Sequence, residues 1–166
     1  MKFLTIIRHA KSSWENPDLD DIVRPLNERG KKSILVIGDY LKTRKIKPDL
    51  MIASPSTRTM QTAIGIAKIL DYDDENIKIN QDIYFGEQDD VVSIVKNIKD
   101  KYKDVFLFGH EPLLSSLIYH FTNEALDKFP TCAVYRIAFN TNDWKEVVHQ
   151  KGDCEFYVNA KLLIEK

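Results

Sequence analysis

The sequence predicts an α/β fold, a three-layer α/β/α sandwich around a mainly parallel central sheet. Three observations predict it. Short apolar runs with almost no polar interruption recur at Phe3 to Ile7, Leu50 to Ala53 and Val105 to Phe108. Segments with apolar residues at helical spacing alternate with them. The strands lack the polar face that one-sided exposure would leave, so helices must cover both sides of the sheet.

The elements follow in order. Phe3 to Ile7 is a buried strand. Residues 10–25 have no periodicity and read as a loop, with a turn at Asn16-Pro17-Asp18. Asn27 is an N-cap, and Ile34, Ile37 and Leu41 mark one face of a helix running to about Lys45. Gly30 falls in its first turn, where glycine is unfavourable relative to alanine; close approach of a neighbouring loop would explain it. Leu50 to Ala53 is a second buried strand. Ser54 as N-cap and Pro55 at the first helical position open the next helix, which buries Met60, Ala63, Ile64 and Ala67. Ile77 to Ile79 and Ile83 to Phe85 read as short strands. Val91, Ile94, Val95, Ile98 and Tyr102 have helical spacing, and Val105 to Phe108 is another buried strand. Pro112 opens a helix carrying Leu113, Leu114, Leu117, Ile118 and Phe121. After Pro130 the pattern suggests a hairpin, Ala133 to Phe139 and Trp144 to His149, turning at Asn140 to Asp143 and adding antiparallel strands at one edge. The stretch from Cys154 fits neither pattern clearly.

The 166 residues fit one domain, residues 1–166. With 24 basic and 25 acidic side chains the net charge is −1, which argues against a dedicated nucleic-acid binder. A hydrophobic content of 43% beside 30% charged residues excludes a disordered chain. The two cysteines, Cys132 and Cys154, have no CxxC spacing and suggest reduced thiols, not a zinc site or a disulfide framework. No apolar run approaches the roughly 18 residues of a membrane span. The apolar N-terminus stops at Arg8, too short for a signal peptide, so a cytoplasmic protein is expected.

Ligands of parallel sheets bind beyond the carboxyl ends of the strands. Three of those ends carry the same kind of residue. The first strand ends in Arg8-His9-Ala10, the second in Ser54-Pro55-Ser56-Thr57-Arg58, and the third in Gly109-His110-Glu111-Pro112. If the strands are neighbours, Arg8, His9, Arg58 and His110 converge. Two arginines offer forked donors that match phosphate oxygens, and two helix N-termini add backbone N–H groups. An imidazole nitrogen can attack phosphorus and form a phosphohistidine. No carboxylate cage for a metal accompanies these positions, so neither metal nor cofactor is expected.

These motifs carry a resemblance. Arg8-His9-Ala10-Lys11-Ser12, Arg24-Pro25-Leu26, Ser54-Pro55-Ser56-Thr57-Arg58 with Gln61-Thr62, and Gly109-His110-Glu111-Pro112 together resemble the histidine phosphatase superfamily, which includes the cofactor-dependent phosphoglycerate mutases. Within it the chain most resembles the short SixA-type phosphohistidine phosphatases, nearly end to end. The resemblance implies a phosphoglycerate mutase-like fold. It implies that His9 is the nucleophile, that Arg8 and Arg58 clamp the phosphoryl oxygens, and that His110 is the second pocket histidine, protonated when phosphate is bound. Arg24 matches the RPL element at the pocket mouth, and Ser12 is a further substrate-binding candidate beside Lys11. Two departures stand out. Trp14-Glu15-Asn16 occupies the region where many members have a phosphate-contacting asparagine. Glu87 is the nearest candidate for the general acid of the mutase-like members, and SixA-type members also lack an obvious acid.

Three functions follow as alternatives. The first is a metal-independent phosphatase acting through phospho-His9 on a phosphohistidine of a partner protein, such as a phosphotransfer domain or phosphocarrier. The second is a phosphomonoesterase of small sugar, nucleotide or cofactor phosphates, which a general acid near the pocket would favour. The third is a non-catalytic phosphate-binding module. His120 and His149 belong to no motif and read as structural residues. The acidic run Asp71 to Glu75 reads as a solvated loop.

Overall fold

A computed structural model describes residues 1–164. Its six strands are β1 (Lys2–Arg8), β2 (Leu50–Ala53), β3 (Lys78–Ile79), β4 (Asp104–Gly109), β5 (Val134–Phe139) and β6 (Asp153–Val158), in the sheet order β3-β2-β4-β1-β5-β6. The first four are mutually parallel. β5 and β6 close the other edge antiparallel.

One face of the sheet packs Ile7, Met51, Ala53, Phe106 and Phe108 against α1 (Glu28–Thr43) and α2 (Thr57–Ile69). The opposite face packs Leu4, Ile6, Val105 and Leu107 against α4 (Gln88–Lys96) and α5 (Leu113–Thr122), joined by two single turns, α3 (Asp82–Phe85) and α6 (Trp144–Val147). Alternate residues of β1 and β4 thus enter different cores, as the pleat requires. A short terminal helix, α7 (Ala160–Ile164), contacts α1.

Gly30 is explained by packing. A Cβ there would lie 2.2 Å from the Lys11 carbonyl oxygen, so the first turn of α1 and the loop after β1 are in backbone contact. Asn27 caps α1 as expected, its side chain accepting from the Gly30 N–H.

Three expectations are corrected. α2 begins at Thr57, not Pro55. Ser56 is its N-cap, and the Ser54 hydroxyl instead accepts from the Ser56 N–H at 3.3 Å. Ile83 to Phe85 is the helical turn α3, not a strand. The Asn80 side chain accepts from the Asp82 N–H, and the run is too short for periodicity to separate helix from strand. Trp144 to His149 is not the hairpin partner of β5. Asp143 caps a turn at Lys145, Trp144 and Val147 are buried at helical spacing, and His149 lies beyond it. β6, from the stretch that fitted neither pattern, pairs with β5 instead. No helix among the described residues is long and apolar enough to cross a membrane.

Candidate active site

Strand register builds the site. Ile7 lies opposite Phe108 and Arg8 opposite Gly109, so His9 and His110 leave adjacent parallel strands at the same level. Ala53 also lies opposite Phe108, which brings Ser54 beside His110. The rings of His9 and His110 are 5.3 Å apart, centre to centre. Arg8, His9, Ser12, Arg24, Arg58 and His110 line one cavity of about 250 Å³, with Lys11, Trp14, Glu111 and Thr131. All six residues expected from the sequence therefore meet at one place.

His9 is held tightly. Its N–H donates to the Gly109 carbonyl at 3.1 Å, and its carbonyl accepts from the Cys132 N–H at 3.0 Å. Its Nδ1 lies 2.7 Å from the Ala10 carbonyl oxygen. A carbonyl only accepts, so Nδ1 carries the proton and Nε2 keeps its lone pair in the neutral ring. Burial, then the charges of Arg58, Arg8 and Arg24, lower the His9 pKa to about 4, although the Ala10 bond acts upward. His110 is lowered to about 3, by burial first and then by His9 and Arg58. Both imidazoles are neutral at pH 7. His110 Nε2 sits 2.6 Å from the Ser54 hydroxyl.

Three buried polar atoms, Arg8 Nε, Arg58 Nε and His110 Nδ1, have no hydrogen-bond partner among the described residues. Unpaired buried polar groups are rare and call for a ligand or water. Two of these three are cationic N–H donors, which suits an anion. The N-termini of α2 and α5 open toward the same strand ends and add positive dipole.

The rest of the arginine machinery is pinned. Arg8 Nη1 donates to the Phe129 carbonyl at 3.0 Å. Arg58 Nη1 and Nη2 donate to the Asp21 carbonyl and Oδ2 at 2.7 and 2.9 Å. Arg24 binds Asp21 Oδ1 through Nε and Nη2, reaches the Ser12 hydroxyl at 2.7 Å, and lies 3.6 Å over the Trp14 ring. The Tyr84 hydroxyl donates to Asp21 Oδ2 at 2.6 Å. That bond first, with help from Arg58 and Arg24, holds the Asp21 carboxyl well below the usual range. Gln61 and Thr62 support the loops: Gln61 accepts from the Leu26 N–H, and Thr62 from the Ala10 N–H.

Glu87 does not line this cavity. It lies at the start of α4 and lines a neighbouring one. Asn16 is also outside, its side chain accepting from the Asp18 N–H. Sequence reasoning missed Asp21, Tyr84 and Glu111. Asp21 stands three residues before Arg24, an ion-pair spacing in a helical turn. Glu111 stands inside the Gly109 to Pro112 motif. Nothing local marked Tyr84.

A family model described as the histidine phosphatase superfamily (branch 1) matches residues 4–91, more than half of the chain. The chain belongs to the histidine phosphatase superfamily. An uncharacterised chloroplast protein of Arabidopsis thaliana is 24% identical over 157 residues, covering 90% of this chain and 72% of the relative. The solved structure of the protein histidine phosphatase SixA, complexed with tungstate, superposes with a TM-score of 0.84 at 20% identity, covering 97% of this chain and 99% of that one. A mycobacterial glucosyl-3-phosphoglycerate phosphatase superposes at 0.66 with 11% identity, covering 93% and 97%. At these identities the likeness shows the fold: this histidine phosphatase is a mixed α/β protein of the phosphoglycerate mutase-like type, and phosphatase activity goes with the superfamily.

Proposed function

We propose that this histidine phosphatase removes the phosphoryl group from a phosphohistidine of a partner protein, using His9 as nucleophile and no metal ion. The observation that carries the reading is the His9 Nδ1–H bond to the Ala10 carbonyl at 2.7 Å, which leaves Nε2 as the free nucleophile. It faces a cavity whose unpaired donors belong to Arg8 and Arg58.

In the first step the Nε2 lone pair forms a bond to phosphorus as the substrate's P–N bond breaks. The bonding pair leaves with the substrate imidazole, which departs neutral when its far nitrogen already carries a proton. Arg8 and Arg58 spread the charge of the equatorial oxygens. The negative charge of the phosphoryl group also draws His110 back toward its cationic form. In the second step water attacks phospho-His9, Nε2 leaves with its bonding pair, and the water proton passes to phosphate or solvent. Because Nδ1–H stays on the Ala10 carbonyl, His9 also departs as a neutral ring. Neither step expels an alkoxide, so neither needs a strong acid at the leaving atom.

The small-ester alternative rests on Glu111, a carboxylate lining the cavity next to His110. Its oxygens accept from the Ser115 N–H and hydroxyl at 2.7 and 2.5 Å, which suits an ionised carboxylate better than a proton donor.

The test is phosphate release in excess chelator from a phosphohistidine protein, free phosphohistidine, an aryl phosphate and phosphosugars, with wild type and His9→Ala in parallel. We expect preferred turnover of phosphohistidine and a loss of at least about a thousandfold in His9→Ala. Faster turnover of a phosphosugar would favour the small-ester reading. Loss of activity on chelation would overturn the metal-free step.

A further inference from the structure

A second cavity of about 400 Å³, in the size range of small-molecule sites, opens beside the phosphate cavity and shares Arg58, His110 and Glu111 with it. The leaving atom of a phosphoryl substrate is one bond from phosphorus, so it must emerge next to the groups that hold the phosphoryl oxygens. This cavity meets that condition. Arg58, 6% exposed, stands in the common wall with its Nε unpaired. A third cavity of about 220 Å³ shares Lys11 and Thr131 with the phosphate cavity, but neither the histidines nor Arg58.

The two outer cavities differ in charge. Glu87 and Glu111 line the 400 Å³ cavity, with Tyr84 and Gln88. Its outer wall is made by Ile83, Tyr84, Gly86, Glu87 and Gln88, which include one carboxylate and no lysine or arginine. The one arginine that lines it, Arg58, is already paired with Asp21. The 220 Å³ cavity is lined by Lys11, Arg29 and Lys161.

We propose that the 400 Å³ cavity receives the leaving group and selects a positively charged one. Resting on the phosphohistidine reading above, that group is the phosphorylated imidazole protonated on its far nitrogen, whose charge Glu87 and Glu111 offset. This is the form that expels a neutral ring, so the carboxylates favour binding of the reactive protonation state. A carboxylate close to the phosphoryl group, as in a phosphoglycerate, would instead meet two like charges in a partly desolvated cavity.

The test uses two aryl phosphates that differ only in a para substituent, an aminomethyl or a carboxylate group. Each is run with wild type, Glu87→Lys and Gln88→Lys, and free phosphohistidine is assayed alongside. Gln88→Lys puts a cation on the same wall without touching the turn before α4, so a folding defect in Glu87→Lys would not leave the question open. In wild type kcat/KM should favour the aminomethyl compound by about fivefold, and at least one lysine variant should reverse the order. A ratio within twofold of unity in all three proteins overturns the charge selection, even if phosphohistidine is hydrolysed. A reversal without phosphohistidine turnover keeps the selection but moves it to another cationic leaving group, and the proposed function then fails by itself.

Discussion

Arg58 Nη2 lies 2.9 Å from Asp21 Oδ2, and the same carboxyl group holds Arg24 and the Tyr84 hydroxyl. The outer fork of Arg58 is thus occupied, and its Nε is the edge left unpaired. On the proposed function, Asp21 fixes which edge of the guanidinium is left to meet a phosphoryl group. Asp21→Ala should lower kcat/KM by about ten- to a hundredfold, since misplacement of a positioning group by about 1 Å costs that much. Asp21→Asn keeps an acceptor and should fall between. Steady-state kinetics on the best substrate checks the order.

The same carboxyl group sets an acid limit on stability. Its folded pKa is depressed, chiefly by the Tyr84 hydrogen bond. Its contribution is therefore present above the unfolded value of about 3.9 and is lost as the pH falls toward the folded value. In urea denaturation, wild type should exceed Asp21→Asn at pH 7, and the gap should narrow below about pH 4.

His9 and His110 act in a different window. Their pKa values are lowered to about 4 and about 3, mainly by burial. Below about pH 6.5 the unfolded chain takes up protons that the folded protein refuses. Stability should decline from pH 7 toward pH 4, and His110→Gln should flatten that slope. Inorganic phosphate should also reduce it, because a bound anion favours the charged ring. Urea midpoints at pH 7.5, 6 and 5 measure both effects.

Gly30→Ala tests the seam between α1 and the loop after His9. Alanine is the better helix former by about 1 kcal/mol, yet its Cβ would meet the Lys11 backbone. We expect a net loss of about 2 kcal/mol and reduced turnover, as for other overpacked sites. Chemical denaturation and kcat report the two effects.

Arg136 is buried, spanning Asp104 on β4 and Glu155 on β6 at 2.7 and 3.0 Å. Arg136→Met would leave Asp104 charged, largely buried and without its ion-pair partner, at a loss of about 3 kcal/mol or more. The double variant Arg136→Met with Asp104→Leu should recover most of that loss in a double-mutant cycle.

The amino-acid sequence by itself determined the alternation of buried strands and amphipathic helices, and it marked the strand ends that carry Arg8, His9, Arg58 and His110. Those features are local, since an apolar run or a strand-end motif shows within a few residues. Tertiary structure alone decided three things. The parallel register of β1, β2 and β4 set His9, His110 and Ser54 at one level. The assignment of Ser54 turned on this. A serine before a proline suits a helix cap, but its hydroxyl faces His110 across the sheet, and Ser56 caps α2. The pairing of β5 with β6 was also decided in space, because Trp144 and Val147 satisfy a short helix as well as a strand until their neighbours are known. Last, Asp21, Tyr84 and Arg58 are separated by dozens of residues and meet only when the loops around the strand ends fold over the site. A hydrogen-bond network of that kind depends on the relative placement of three elements, which no local pattern of residues encodes.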